Sequence, residues 1–243
     1  MRRGRKSIGV QYRTFCDELR TNRPAPSMRI GSRCDNRGMS PRTVQTRPIG
    51  LAVWLILAGV VGWIAAFALT IEKFHALMNP DAGGASCDFS IVVQCTANLD
   101  SWQGSVFGFP NPIIGLTAWM APVVVGAAIL AGARFARWFW WAFFAGIVFA
   151  FGFVAWLISQ SVYVLGTLCP WCMVTWLVTI PTFFAVGIQL LKSGVVSDSE
   201  RVRRVGTALT PWVPLMAIVC YAVVLLLAQF RLNAIPELIG ILF

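Results

Sequence analysis

Residues 138–191 read WFWWAFFAGIVFAFGFVAWLISQSVYVLGTLCPWCMVTWLVTIPTFFAVGIQLL, a run of 54 residues without an Asp, Glu, Lys or Arg, bounded by Arg137 and Lys192. A membrane-crossing helix needs about 20 mainly apolar residues, so the run is far too long for one crossing. It must fold back. Its most polar stretch, residues 160–168 with Gln160, Ser161 and Gly166, is the expected corner. One span is therefore predicted over residues 138–159 and the next over 170–191.

Outward from this hairpin, uncharged runs at residues 51–70, 112–133 and 212–230 bring the predicted spans to five. Only helices or closed barrels satisfy the backbone in lipid, and the runs lack the alternation of a barrel strand, so they are read as helices. Composition agrees: 57% of the residues are apolar, 12% are charged and the mean hydropathy is +0.70. A soluble domain is about 25% charged. A cytosolic globular enzyme and a disordered protein are both excluded, and the predicted class is an all-α integral membrane protein.

The charge is lopsided. Residues 1–50 hold 12 Lys/Arg against three Asp/Glu, while the rest of the chain holds eight against seven. Residues 1–48, rich in Arg and Pro and without apolar periodicity, are expected to be a disordered cytoplasmic tail. Such a tail could bind nucleic acid or anionic lipid, but it is better read as a topology signal, so no nucleic-acid partner is expected. Met28 and Met39 precede the first span, so part of this head could be a start-site extension; the apolar run after it is too long for a cleavable signal peptide. With the head placed inside, 18 of the 20 Lys/Arg fall on the inner side and only Lys73 and Arg231 outside. The positive-inside rule thus predicts an extracytoplasmic carboxy terminus. Residues 192–209 are expected as a cytoplasmic loop, and residues 210–243 as the fifth helix with a short outer end.

This orientation sorts the seven cysteines. Cys16 and Cys34 fall in the cytoplasmic head, where thiols stay reduced, and Cys220 lies within the fifth span. Cys87, Cys95, Cys169 and Cys172 all fall on the oxidising face. A Cys-x-x-Cys at a helix start puts both sulfurs on one face, and the unpaired N–H groups there stabilise a thiolate. Pro170 suits the first turn, where its missing N–H costs nothing. Thiol–disulfide exchange is the chemistry this arrangement favours. Zinc is opposed by the single His, His75, which offers no four-ligand set, so no metal is expected. A structural disulfide stays open, although so short a loop adds little stability. Cys87 and Cys95 alone also read as a structural bridge; beside a Cys-x-x-Cys, a flexible outer pair gains a second reading, as a shuttle between a soluble partner and a buried pair.

Electrons delivered to such a pair must leave. No Rossmann glycine signature or haem pair is visible, so a lipid-soluble acceptor, a quinone, is expected among the helices. Trp171, Trp176, Trp102, Phe107 and Phe109 are candidates to line its ring, and Asn111 to donate to a quinone oxygen. Each has an ordinary alternative: most of the 11 Trp would belong to lipid-facing belts or packing, and an Asn at a span end is commonly a cap.

Taken together, Cys87-x7-Cys95, Leu99-Asp100-Ser101-Trp102, Val106-Phe107-Gly108, Asn111-Pro112-Ile113-Ile114-Gly115 and Cys169-Pro170-Trp171-Cys172 resemble the vitamin K epoxide reductase family in its bacterial form, over about residues 50–190. A second family of quinone-linked thiol oxidases is similar in chemistry but places its Cys-x-x-Cys in the first outer loop, and the order here argues against it. The resemblance implies a four-helix bundle around a quinone over residues 49–191, a catalytic loop over 71–111 carrying a half-helix over the site, and an added fifth helix. It implies that Cys172 contacts the quinone, that Cys169 exchanges with Cys95, and that Cys87 meets the soluble partner. Ser101 matches the family's loop Ser/Thr, and Asn111 its quinone-binding Asn. Trp176 stands where animal members carry a Tyr, which puts epoxide reduction in doubt.

The function so implied is a multi-pass thiol oxidoreductase of the bacterial plasma membrane. It would reoxidise a thioredoxin-like (DsbA-type) protein and pass electrons to menaquinone or ubiquinone. Many bacterial members carry a fused thioredoxin-like domain, but only 13 residues follow Phe230, so a separate partner is expected. Two alternatives remain: a vitamin K epoxide or quinone reductase, separable by comparing the two substrates, and a non-enzymatic membrane protein with structural disulfides. The sequence offers the latter no intramembrane charges that would mark an ion path.

Overall fold

The computed structural model describes residues 48–79 and 84–233, with 235, 236 and 239 beyond them. The expected tail, apart from Pro48, and the cysteines Cys16 and Cys34 lie outside these residues. Among the described residues, five helices are long and apolar enough to cross a membrane, at Ile49–Met78, Asn111–Ala131, Arg137–Leu165, Pro170–Ser193 and Glu200–Leu232. The chain is an all-α multi-pass membrane protein.

Helix α1 (Ile49–Met78) has 30 residues and so a length of about 45 Å, well beyond a hydrocarbon core of about 30 Å. Its last turns carry Glu72 and Lys73 out of the apolar run to the following loop, which holds the short helix α2 (Thr96–Asp100) and a 3-10 turn (Trp102–Ser105). The second crossing is broken into α3 (Asn111–Ala118) and α4 (Met120–Ala131). Pro122 explains the break. It cannot donate to the carbonyl of Ala118, and its ring would crowd that oxygen in a continuous helix. The two pieces lie close against α1 because α1 presents glycine there: a Cβ at Gly62 would overlap the Trp119 ring, and one at Gly59 would meet Val123.

Helix α5 (Arg137–Gln160) runs into one wider turn of π-helix (Ser161–Leu165), and Gly166, at φ 70°, ends it in the left-handed region. Helix α6 (Pro170–Ser193) then returns through the bundle. The corner falls within the stretch expected from its polar residues. Residues 192–209, expected as a loop, contain helix α7 (Glu200–Leu209), which leads through a 3-10 turn into α8 (Val213–Leu232). Glu200 in its first turn suits the helix dipole, and Gly206 lets it lie against Leu191 and Lys192 of α6. Its many Arg hid this helix from a search for apolar runs.

Packing divides along the bundle. At the end near Pro48, Leu55, Val125, Ile129, Trp140 and Leu190 form one apolar cluster. There Arg137 pairs with Asp198 and donates to the Gly194 carbonyl, both at 2.6 Å. A second cluster joins α8 to α5 and α6 through Ile158, Trp176, Ile180, Ala217 and Ala228. Pro181 lies inside α6 and leaves the Leu177 carbonyl without its helical donor; the Tyr221 hydroxyl of α8 donates to that oxygen at 2.7 Å. In lipid an unmet carbonyl is costly, so this bond gives the fifth helix a fixed docking point.

Candidate active site

The third apolar cluster consists of Leu69, Leu99 and three sulfurs, those of Cys87, Cys95 and Cys169, with Cys172 packed against it. Local backbone pairing brings them together. Val93 and Leu168 form an isolated parallel bridge, with Leu168 N–H donating to the Val92 carbonyl at 2.7 Å and Gln94 N–H donating to the Leu168 carbonyl at 3.0 Å. The loop and the segment before α6 thus meet two residues before Cys95 and one before Cys169. Their sulfurs lie 3.4 Å apart.

Cys87 and Cys95 form a disulfide with a Cα–Cα distance of 5.7 Å, while Cys169 and Cys172 are free. The bridge is buried: Cys87 is 4% exposed, and Cys95 and Cys169 are not exposed at all. Asp88 holds the small loop closed. Its carboxylate accepts from the N–H groups of Cys95 at 2.6 Å, Ala85 at 3.0 Å and Thr96 at 3.1 Å, and from the Thr96 hydroxyl at 2.6 Å. Burial opposes its charge, but these bonds from Thr96, Cys95 and Ala85 outweigh it and hold the carboxyl below its ordinary 3.8. Cys87, Asp88 and Cys95 lie close enough to share an ion, but the two sulfurs are no thiolate ligands while they are bridged.

Cys169 caps α6 in an extended conformation, with Pro170 in the first turn as its fixed φ favours. A hydrogen bond from Cys172 lowers its thiol pKa. Burial works the other way, and the backbone N–H groups of Cys172 and Trp171 add to the lowering. The net direction is towards thiolate, as the start of a helix should give.

The half-helix α2 and the turn after it cover this centre. Lys73 pins the end of α2, donating to the Leu99 carbonyl at 3.0 Å and to Asp100 at 2.9 Å. Asn98 donates to the Thr167 hydroxyl at 2.9 Å and accepts from Ser161 at 3.0 Å, tying α2 to the π turn and the segment before Cys169. Behind them lies a cavity of about 540 Å³, bounded by α1 to α6, whose wall includes Cys169, Cys172, Trp119, Trp176 and Phe153.

The expected ring-binding residues divide at this wall. Ser101, Asn111 and Trp176 line it; Trp102 and Phe107 do not. In the 3-10 turn Gln103 points inward, 3% exposed, so Trp102 is turned out at 65% and packs on Trp156. Phe107, half exposed, packs on the outer side of Phe153, whose ring does line the cavity. Trp119 and Phe153 line the cavity beside Trp176, where Trp102 and Phe107 do not. Trp171 packs beside the cysteines, and Phe109 is exposed.

Ser101 serves first as a cap: its hydroxyl accepts from Gly104 N–H at 3.2 Å and donates to the Asn98 carbonyl at 2.8 Å. Asn111 likewise braces the turn, donating to the Gln103 carbonyl at 2.6 Å and accepting from Val106 N–H at 3.2 Å. An amide nitrogen carries two protons, so Asn111 keeps one donor beyond the brace. Asn98, Asp88, Gln103 and Gln160 were missed from the sequence. No motif marks them; only the carbonyls, hydroxyls and N–H groups that the fold brings near them do.

A family model described as the vitamin K epoxide reductase family matches residues 53–186, more than half of the chain. No curated protein and no solved structure gives a match. The matched stretch holds both cysteine pairs and most of the first four spans, and the chain belongs to the vitamin K epoxide reductase family of membrane oxidoreductases.

Proposed function

We propose that the protein is a quinone-linked thiol oxidase of the bacterial plasma membrane. It takes two electrons from an extracytoplasmic thioredoxin-like (DsbA-type) protein, carries them through Cys87–Cys95 and Cys169–Cys172, and delivers them to menaquinone or ubiquinone. The observation that carries this reading is the 3.4 Å contact between the sulfurs of Cys169 and Cys95, with Cys172 on the cavity wall behind them. Two disulfide-exchange pairs in register, ending at an apolar chamber, form a continuous path for electrons.

The cavity suits a quinone head group: its volume of about 540 Å³ lies in the usual ligand range, its walls are mostly apolar, and Asn111, Gln103, Gln160 and Ser101 supply a few polar atoms. A quinone bound there supplies an acceptor for two electrons and two protons. The remaining steps belong to the chain. A partner thiolate attacks Cys87 of the loop disulfide, and the partner's second thiol displaces it, leaving Cys87 and Cys95 reduced. The Cys95 thiolate then attacks Cys169 of a Cys169–Cys172 disulfide and releases Cys172. Cys87 closes back on Cys95 and frees Cys169. The result is a loop disulfide beside a Cys169/Cys172 dithiol, the redox state seen in the structure. That dithiol gives up two electrons and two protons at the cavity as its own disulfide re-forms.

Cys87 is buried in this state, so the partner reaches it only when the loop opens. The orientation that faces this loop outward follows from the cation count. Of the two exceptions to it, Lys73 is paired with Asp100, and Arg231 lies 5.6 Å from the Tyr163 ring centroid.

A trapping experiment tests the central exchange. In a Cys87→Ala/Cys172→Ala double variant the resolving sulfurs are gone, and mild oxidation is expected to join Cys95 to Cys169 in near-complete yield by peptide mass mapping. Persistently free Cys95 and Cys169 under those conditions would contradict the relay.

A further inference from the structure

Gln103 is 3% exposed, lies on the cavity wall, and its Oε1 is the buried side-chain polar atom without a hydrogen-bond partner among the described residues. Its Nε2 is occupied, donating to Gln160 Oε1 at 3.2 Å, and Gln160 also lines the cavity. An amide oxygen buried and left unmet is costly, so such an atom marks a position where a donor is expected to arrive. The cavity is otherwise nearly apolar. We propose that the Gln103 amide, oriented by Gln160, is the polar contact for a ring oxygen of the quinone.

This inference rests on the quinone reading above and deepens it. The pair can offer either a donor or an acceptor, whereas Asn111 keeps only a donor, because its oxygen is held by Val106 N–H and one proton of its nitrogen by the Gln103 carbonyl. In the observed pairing the group of Gln103 left without a partner is an acceptor, which suits the O–H of a reduced ring. When both amides turn over, Gln160 Nε2 donates to Gln103 Oε1 and Gln103 Nε2 faces the cavity, a donor for the carbonyl of an oxidised ring. The Cys169/Cys172 dithiol supplies the two electrons and two protons that convert one ring form to the other. The amide pair thus meets substrate and product with one contact each.

The test uses the full chain in detergent and a short-chain naphthoquinone, with binding followed by quenching of the wall tryptophans Trp119 and Trp176. Gln103→Met keeps length and removes both polar atoms; it is expected to weaken naphthoquinone binding about five- to tenfold, the value of one hydrogen bond. Gln160→Met, which removes only the orienting group, is expected to weaken it by a smaller factor. The infrared carbonyl band of the bound oxidised quinone should lie lower in wild type than in Gln103→Met. Cleavage of the loop disulfide by a small dithiol, which needs neither amide, should proceed at the wild-type rate in both variants and so report an intact fold. Unchanged binding and an unshifted carbonyl band in Gln103→Met would overturn the inference and leave the quinone reading standing. Absence of binding and of dithiol-driven reduction in wild type would overturn the quinone reading itself.

Discussion

The reactivity proposed for Cys169 follows from where the chain puts it. It is the last extended residue before α6, so its sulfur receives the N–H groups at the helix start, and the Cys172 thiol one turn on adds a hydrogen bond. Labelling of Cys169 by a small thiosulfonate, followed by mass spectrometry in a Cys220→Ser background, is therefore expected to rise through a midpoint below the ordinary thiol value of 9.0. Cys172→Ala removes the largest of those contributions and should move the midpoint up; an unmoved midpoint would contradict this origin. The cysteines that cluster here could be picked out in the sequence because they come as two closely spaced pairs. Gln103 and Trp102 were not. They are neighbours, and a 3-10 turn sends one to the cavity and the other to the surface. Nothing in the order Ser-Trp-Gln-Gly says which.

At the scale of the elements, the loop that carries Cys87 and Cys95 is held by few and specific contacts. Asp88 gathers three N–H groups and one hydroxyl, Lys73 fastens α2, and Asn98 joins it to the π turn. Asp88→Asn replaces a charged acceptor, worth about 1.5–3 kcal/mol per charge-assisted bond, with an amide that cannot accept at both ends. The loop should open more often. Reduction of Cys87–Cys95 by a bulky soluble dithiol is expected to speed up several-fold, while transfer between Cys95 and Cys169 slows; stopped-flow measurement of each half-reaction separates the two. The pH sign follows from the lowered carboxyl: folded Asp88 binds its proton less readily than the unfolded chain, so its stabilisation is complete above 3.8 and is lost as pH falls through its lower folded value. Protection of Cys87 from reduction should survive pH 5 to 8 and fail only in stronger acid. Uncharged length alone made the spans legible. The break at Trp119, which rests on one proline, and α7, whose charges mask its helix, were not legible on that criterion.

For the molecule as a whole, the fifth helix is fastened where the fourth is flawed. Pro181 frees the Leu177 carbonyl and Tyr221 fills the gap, so Tyr221→Phe should cost about 1 kcal/mol of bundle stability, read by unfolding in mixed micelles. In a Pro181→Ala background, where the helix supplies its own donor, the same change should cost almost nothing. This coupling joins two residues 40 positions apart and could not be read from either run alone. The proposed orientation rests on charge that is counted, not packed, and it would set all four cysteines of the proposed relay on one face. The most direct test of the relay is quinone reduction by the purified protein, driven either by a reduced thioredoxin-like protein or by a small dithiol, across the four single Cys→Ala variants. Loss of Cys169 or Cys172 should abolish reduction with both donors, whereas Cys87→Ala should abolish it with the protein donor and leave part of it with the small dithiol; equal loss with both donors in Cys87→Ala would contradict the relay.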